Sequence, residues 1–191
     1  AEFTKEGISD ADGKIYGLPL YLEGYQFCYN VKLFEKAGIT ELPRAVLMAG
    51  YKDTSSSDAV YMLDWYAYGI GKVPVKVATT YQNISDAWSL LIDQKWHDRI
   101  TAIKANDGGL SYVEFFEYRK NKMSIPLFNI YCATGSNREY YAERTDLIQL
   151  GQTTQAMYFA KLTNEGEQSE LALTGDEIKA RFSLVNQAWN N

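Results

Sequence analysis

Few side chains in this chain have the chemistry for catalysis, and their spacing limits them further. The single histidine, His97, stands between Trp96 and Asp98. It has no second imidazole to share a metal and no Ser or Cys in a recognisable nucleophile turn. Cys28 and Cys132 form neither a CxxC pair nor a Cys/His cluster, so they make no metal site by themselves. A disulfide and two buried thiols both remain open. There is no glycine-rich GxGxxG, no phosphate loop and no HExxH, which removes the usual warrants for dinucleotide, nucleoside triphosphate and zinc-hydrolase chemistry.

Carboxylates are the remaining route to catalysis. Asp107, Glu114 and Glu117 precede Arg119 and Lys120, an acid-then-base order loosely like that of a metal-dependent nuclease, and one that ordinary solvated faces also produce. A glycosidase pair is equally open, because the separation that defines it is spatial. These patterns assign no catalytic residue, no metal ligand and no cofactor.

Composition narrows the partners. The chain has 19 Lys and Arg against 24 Asp and Glu, net -5, with the basic residues spread singly, which argues against a nucleic-acid face. Its 15 Tyr, 8 Phe and 4 Trp suit amphipathic interior layers or surfaces that stack on polar rings such as sugars. At 191 residues it can bury a sizeable core, and no run reaches the roughly 20 apolar residues of a membrane helix. Ala1 is followed by Glu2, Lys5 and Glu6, which is not a secretory leader. A cytoplasmic protein, a processed one and a fragment all fit that start.

The elements that would position these residues read as mixed helix and strand. The pattern predicts the tail of a helix, a turn at residues 10–13, a strand over 14–20, a half-buried strand over 25–30 from Tyr25, Phe27 and Tyr29, and a short helix over 31–37 closed by Gly38. It predicts a helix from Asp58 to about Tyr68, and a strand through Val73, Val75 and Val77 with one wet face. A long helix from Ser85 follows, carrying Trp88, Leu91, Ile92, Trp96 and Ile100 at helical spacing, with Trp88, Leu91, Ile92 and Trp96 in the core and His97 and Asp98 near the solvent boundary. Residues 110–122 fit both periods, and 123–134 read as a buried strand despite Pro126. Ser136 to Glu139 and Thr174 to Glu177 fit capping boxes.

The segment from Asp12 to Pro43, DGKIYGLPLYLEGYQFCYNVKLFEKAGITELP, carries a DGKxYGxP run, a strand ending in Tyr29-Asn30 and the LFEKAGI run from Leu33 to Ile39. It resembles the sugar-binding proteins of ABC importers, the maltose-binding class. The resemblance implies an α/β chain forming part of a two-lobed periplasmic-binding-protein-like architecture. Residues 1–43 would be its hinge-proximal segment and 44–191 an α/β lobe. It further implies a carbohydrate ligand captured by lobe closure, an ABC permease as partner, and an extracellular or periplasmic location with a lipid anchor as one option. Glu23 falls where that family often places a ligand-facing carboxylate, which can take hydrogen bonds from two hydroxyls, and Tyr25 lies two residues on. Trp65 and Tyr66 complete the candidate ligand-binding set as aromatic surfaces for a sugar ring. After Pro43 the chain departs from the family pattern. The other expectations are a carboxylate-dependent hydrolase acting on a glycan or nucleic acid, and a structural or assembly protein with a Tyr-rich interface.

Overall fold

The computed structural model describes residues 20–22, 25–27, 40–51, 59–67, 73–107, 110–120 and 122–185, with backbone alone for 20–27. They fall into two compact units, one drawn from 1–45 and 63–78, the other from 46–62 and 79–191. The expected strand over 14–20 and helices before 10 and over 31–37 lie outside the described residues, apart from Leu20.

The first unit holds the antiparallel hairpin of β1 (Leu20–Leu22) and β2 (Tyr25–Phe27), in which Tyr21 faces Gln26. It also contains the greater part of β4 (Tyr61–Ala67) and the start of β5 (Val75–Asn83), where Lys76 Nζ lies 2.7 Å from the buried Asp64 carboxylate.

The described strands also form two five-stranded sheets, of which the first draws strands from both units and the second lies wholly in the second unit. One five-stranded sheet contains β3 (Glu41–Leu47), β4, β5, β6 (Trp88–Leu91) and β12 (Phe182–Leu184), in the order β12-β6-β5-β4-β3, with β5–β6 and β6–β12 antiparallel. The other contains β7 (Ile100–Asp107), β8 (Leu110–Arg119), β9 (Lys122–Thr134), β10 (Ile148–Gln152) and β11 (Ala156–Leu162), in the order β10-β11-β9-β8-β7, antiparallel throughout. Among the described residues two short helices, α1 (Asn137–Ala142) and α2 (Gly175–Arg181), join and close the strands.

The expected α/β two-lobed architecture is therefore corrected to two largely antiparallel sheets. Parallel βαβ units need a helix between successive strands, whereas the β5–β6 and β6–β12 ladders and the whole sheet of β7 to β11 run antiparallel. The inner faces of the two sheets meet in one core: Tyr81, Trp88, Leu90 and Phe182 from one, Val113, Phe115, Phe128, Ile130, Tyr158 and Ala160 from the other. Tyr81 meets Phe115 edge-on at 5.3 Å between ring centroids, and Tyr158 lies 5.5 Å from Phe182. Ile178 of α2 is fully buried in the same core.

The helix expected from Ser85 is also corrected. Trp88 and Leu90 are the buried alternates of a strand, and Leu91 is 46% exposed. Pairing of Gln82 with Ser89 and Tyr81 with Leu90 offers a complete ladder that outweighs the helical spacing. Helix continuity is broken by left-handed residues at Ala87 (φ 55°) and Asp98 (φ 58°), leaving a single 3-10 turn at Gln94–Trp96 capped by Asp93. The core placement of Trp88, Ile92 and Trp96 stands, as does the boundary placement of His97, whose Nδ1 sits 3.0 Å from Asp98. The helix expected from Asp58 is corrected to β4, where Met62 and Asp64 are buried alternates. The aromatic and β-favouring side chains of that stretch suit a pleated surface.

One strand and one helix start follow the sequence pattern: β9 covers 123–134, and α2 opens with a complete capping box between Thr174 and Glu177. The strand expected through Val73 begins only at Val75, and Val75, Lys76 and Val77 are all exposed, so the expected single wet face is absent at that end. At α1 the expected box is absent, for Ser136 makes no side-chain cap bond. Pro126 is tolerated in β9 because the ladder shifts register there. Phe115 faces Phe128 and Phe116 faces Pro126, so Leu127 is an extra residue.

Candidate functional site

On β8 the odd residues Val113, Phe115 and Glu117 are buried inward, and the even residues face the other way. That outer face carries three rows across the central strands. Leu110 on β8 is followed by Ala133 on β9 and its partner Met157 on β11; Tyr112 faces Tyr131, which faces Phe159; Glu114 faces Asn129, which faces Lys161. The face thus grades along the strands from apolar to aromatic to polar. Helix α1 and the loop after it cover its apolar end with Tyr141 and Leu147.

Between this roof and the sheet is a cavity of about 290 Å³, lined by Leu110, Tyr112, Glu114, Asn129, Tyr131, Tyr141, Arg144, Leu147 and Lys161. The rings of Tyr112 and Tyr131 lie 5.3 Å apart at 34°, a tilted platform beside the polar row. Asn129 donates through Nδ2 to Glu114 Oε1 at 3.3 Å and to the Tyr131 hydroxyl at 3.0 Å. Its Oδ1 is buried and meets no hydrogen-bond donor among the described residues.

The charges are unevenly paired. Arg144 grips Asp146 with two hydrogen bonds, Nε to Oδ1 at 2.9 Å and Nη2 to Oδ2 at 2.6 Å, and Lys161 Nζ lies 3.1 Å from the same Oδ2. These bonds, Arg144's first and Lys161's second, hold the Asp146 carboxyl well below the usual carboxylate range. Arg144 also lies over the Tyr141 ring, 5.6 Å from its centroid. Glu114 has no cation within ion-pair distance among the described residues, and its one contact is the Asn129 amide.

No protein family, curated protein or solved structure matches this chain. The reading of the site therefore rests on its own residues.

Of the residues expected to bind ligand, Glu23 lies outside the described residues and Tyr25 opens β2. Trp65 and Tyr66 are half-buried neighbours on β4. As consecutive strand residues they point to opposite faces and cannot form one stacking surface. Neither is in the lining of the cavity.

The acid-then-base segment divides between two environments. Glu114 lines the cavity, while Glu117 is inward and fully buried, held by Arg119 Nε at 2.5 Å, Ser169 Oγ at 2.6 Å and Arg99 Nη2 at 3.3 Å. An odd separation on a strand puts two side chains on opposite faces, so these carboxylates do not form a catalytic pair. Among the described residues no group of three His, Cys, Asp or Glu could hold a metal ion, and no helix is long and apolar enough to cross a membrane. Sequence reasoning missed Tyr112, Asn129, Tyr131 and Lys161. Their one signal was a polar group recurring at every second position of apolar strands.

Proposed function

We propose that this chain is a carbohydrate-binding protein that captures a small sugar in the cavity above β8, β9 and β11, without covalent chemistry. The carrying observation is the lining of that cavity: three tyrosines beside a row of carboxylate, amide and ammonium, in about 290 Å³. That volume is at the small end of ligand pockets, which run roughly 300–1,000 Å³, and suits one or two pyranose rings. A pyranose has an apolar C–H face for an aromatic platform and a rim of hydroxyls that both donate and accept. Glu114 supplies acceptors, and Lys161 and Arg144 supply donors. The resemblance of residues 12–43 to importer-associated sugar-binding proteins points the same way, and with it the proposal extends to capture outside the cytoplasmic membrane and delivery to a permease. Lobe closure is not part of it, since the fold is not two-lobed α/β.

Titration calorimetry of the purified chain against a panel of mono- and disaccharides tests this reading. A sugar should bind, and Tyr131→Ala should weaken it by roughly threefold to tenfold, the worth of one aromatic contact. If no sugar of the panel binds, or if Tyr131→Ala folds and binds as well as the unaltered chain, the reading fails.

A further inference from the structure

Resting on the carbohydrate reading, we propose that the preferred ligand is an amino sugar, whose protonated amine is held by Glu114. The polar row reads carboxylate, amide, ammonium from β8 to β11, with Glu114 and Lys161 each directly opposite Asn129. Adjacent strands lie about 4.8 Å apart, so roughly two strand spacings separate the backbones that carry the two charges. The ammonium of Lys161 already faces Asp146 at 3.1 Å. Glu114 has only the Asn129 amide, at 3.3 Å, and no cation among the described residues within reach.

A half-buried carboxylate without a cation in a cavity is the group that gains most from a positively charged ligand, because the interaction is made away from bulk water. The surroundings add to this preference. Tyr112 and Tyr131 stand in the next row along the strands, and their ring faces attract an ammonium as well as a pyranose. With the amine over Glu114, ring hydroxyls reach toward the N–H groups that Lys161 does not spend on Asp146. A ligand reversed along the row would set its amine against Lys161, so the row fixes orientation as well as class.

The test compares D-glucosamine, N-acetyl-D-glucosamine and D-glucose by calorimetry on the unaltered chain at pH 6.5, where the first is a cation and the others are neutral. Glucosamine should bind at least roughly tenfold tighter than either, the range of a charge-assisted hydrogen bond. Glu114→Gln should bring glucosamine down to the affinity of the N-acetylated sugar. Lys161→Gln, which removes the like charge at the other end of the row, should widen the preference. Equal binding of the three sugars overturns the amine assignment while leaving the carbohydrate reading in place. A preference that survives in a folded Glu114→Gln protein overturns the role of Glu114. Absence of binding by all three and by the wider panel removes both.

Discussion

Replacing Glu117 by Gln keeps the shape of a fully buried side chain and removes its charge. The carboxylate accepts from Arg119 Nε at 2.5 Å, from Ser169 Oγ at 2.6 Å and, at the longer distance of 3.3 Å, from Arg99 Nη2. Ser169 Oγ in turn accepts from the Leu171 backbone N–H at 3.0 Å, so the network ties β8 to the segment after the turn at Gly166–Gln168. The two arginines are 43% and 46% exposed, and water can take them back. The cost is therefore not the ~3–5 kcal/mol of stranding a buried ion. It is the difference between charge-assisted and neutral hydrogen bonds, about 1 kcal/mol at each of the two short contacts, hence about 2 kcal/mol. Burial pushes the Glu117 carboxyl up, but the bonds from Arg119, Ser169 and Arg99 outweigh it and leave the group below its ordinary value. For a depressed carboxylate the contribution is complete above the unfolded value, about 4.3, and is lost as pH falls through the folded value. Urea denaturation of the two proteins should then show a gap of about 2 kcal/mol at pH 7 with equal slopes, narrowing at about pH 3. A gap under about 0.5 kcal/mol at pH 7, or one that persists undiminished in acid, would refute this account of the network.

Gly166→Ala should destabilise by about 2–3 kcal/mol in the same assay, because a Cβ there would collide with the Leu127 carbonyl, which already accepts from Thr163; a neutral effect would mean that the bulge at Leu127 yields. In a Cys28→Ser background, Cys132 should react with a thiol reagent at pH 8 roughly a hundredfold slower in the native than in the unfolded protein, since burial pushes its thiol up to about 11. Equal rates would place that thiol outside the core.

The features legible along the chain are local ones. The apolar run of β9 and the Thr174–Glu177 box that opens α2 depend on neighbours a few residues apart. So does the burial of Trp88 and Trp96, which any packing would favour for such large apolar side chains. The identity of the element carrying Trp88 was not local. Its apolar residues satisfy a helical period, and only the ladder with β5 and the left-handed turn at Ala87 make it a strand. The fold class followed from that choice and from β4, so the mixed helix-and-strand reading gave way to two sheets.

The cavity was less legible still. Glu114, Asn129 and Lys161 form one row only because β8, β9 and β11 pair in this register, and Lys161 is brought opposite Asn129 across the whole of α1 and β10. Spacing along the chain carries no record of that meeting, since strand pairing is non-local and one residue of slip would turn every side chain to the other face. Alternation along β8 separates Glu114 from Glu117; the tertiary register decides which residues stand beside each. One carboxylate therefore lines the cavity, and the other is locked in the core.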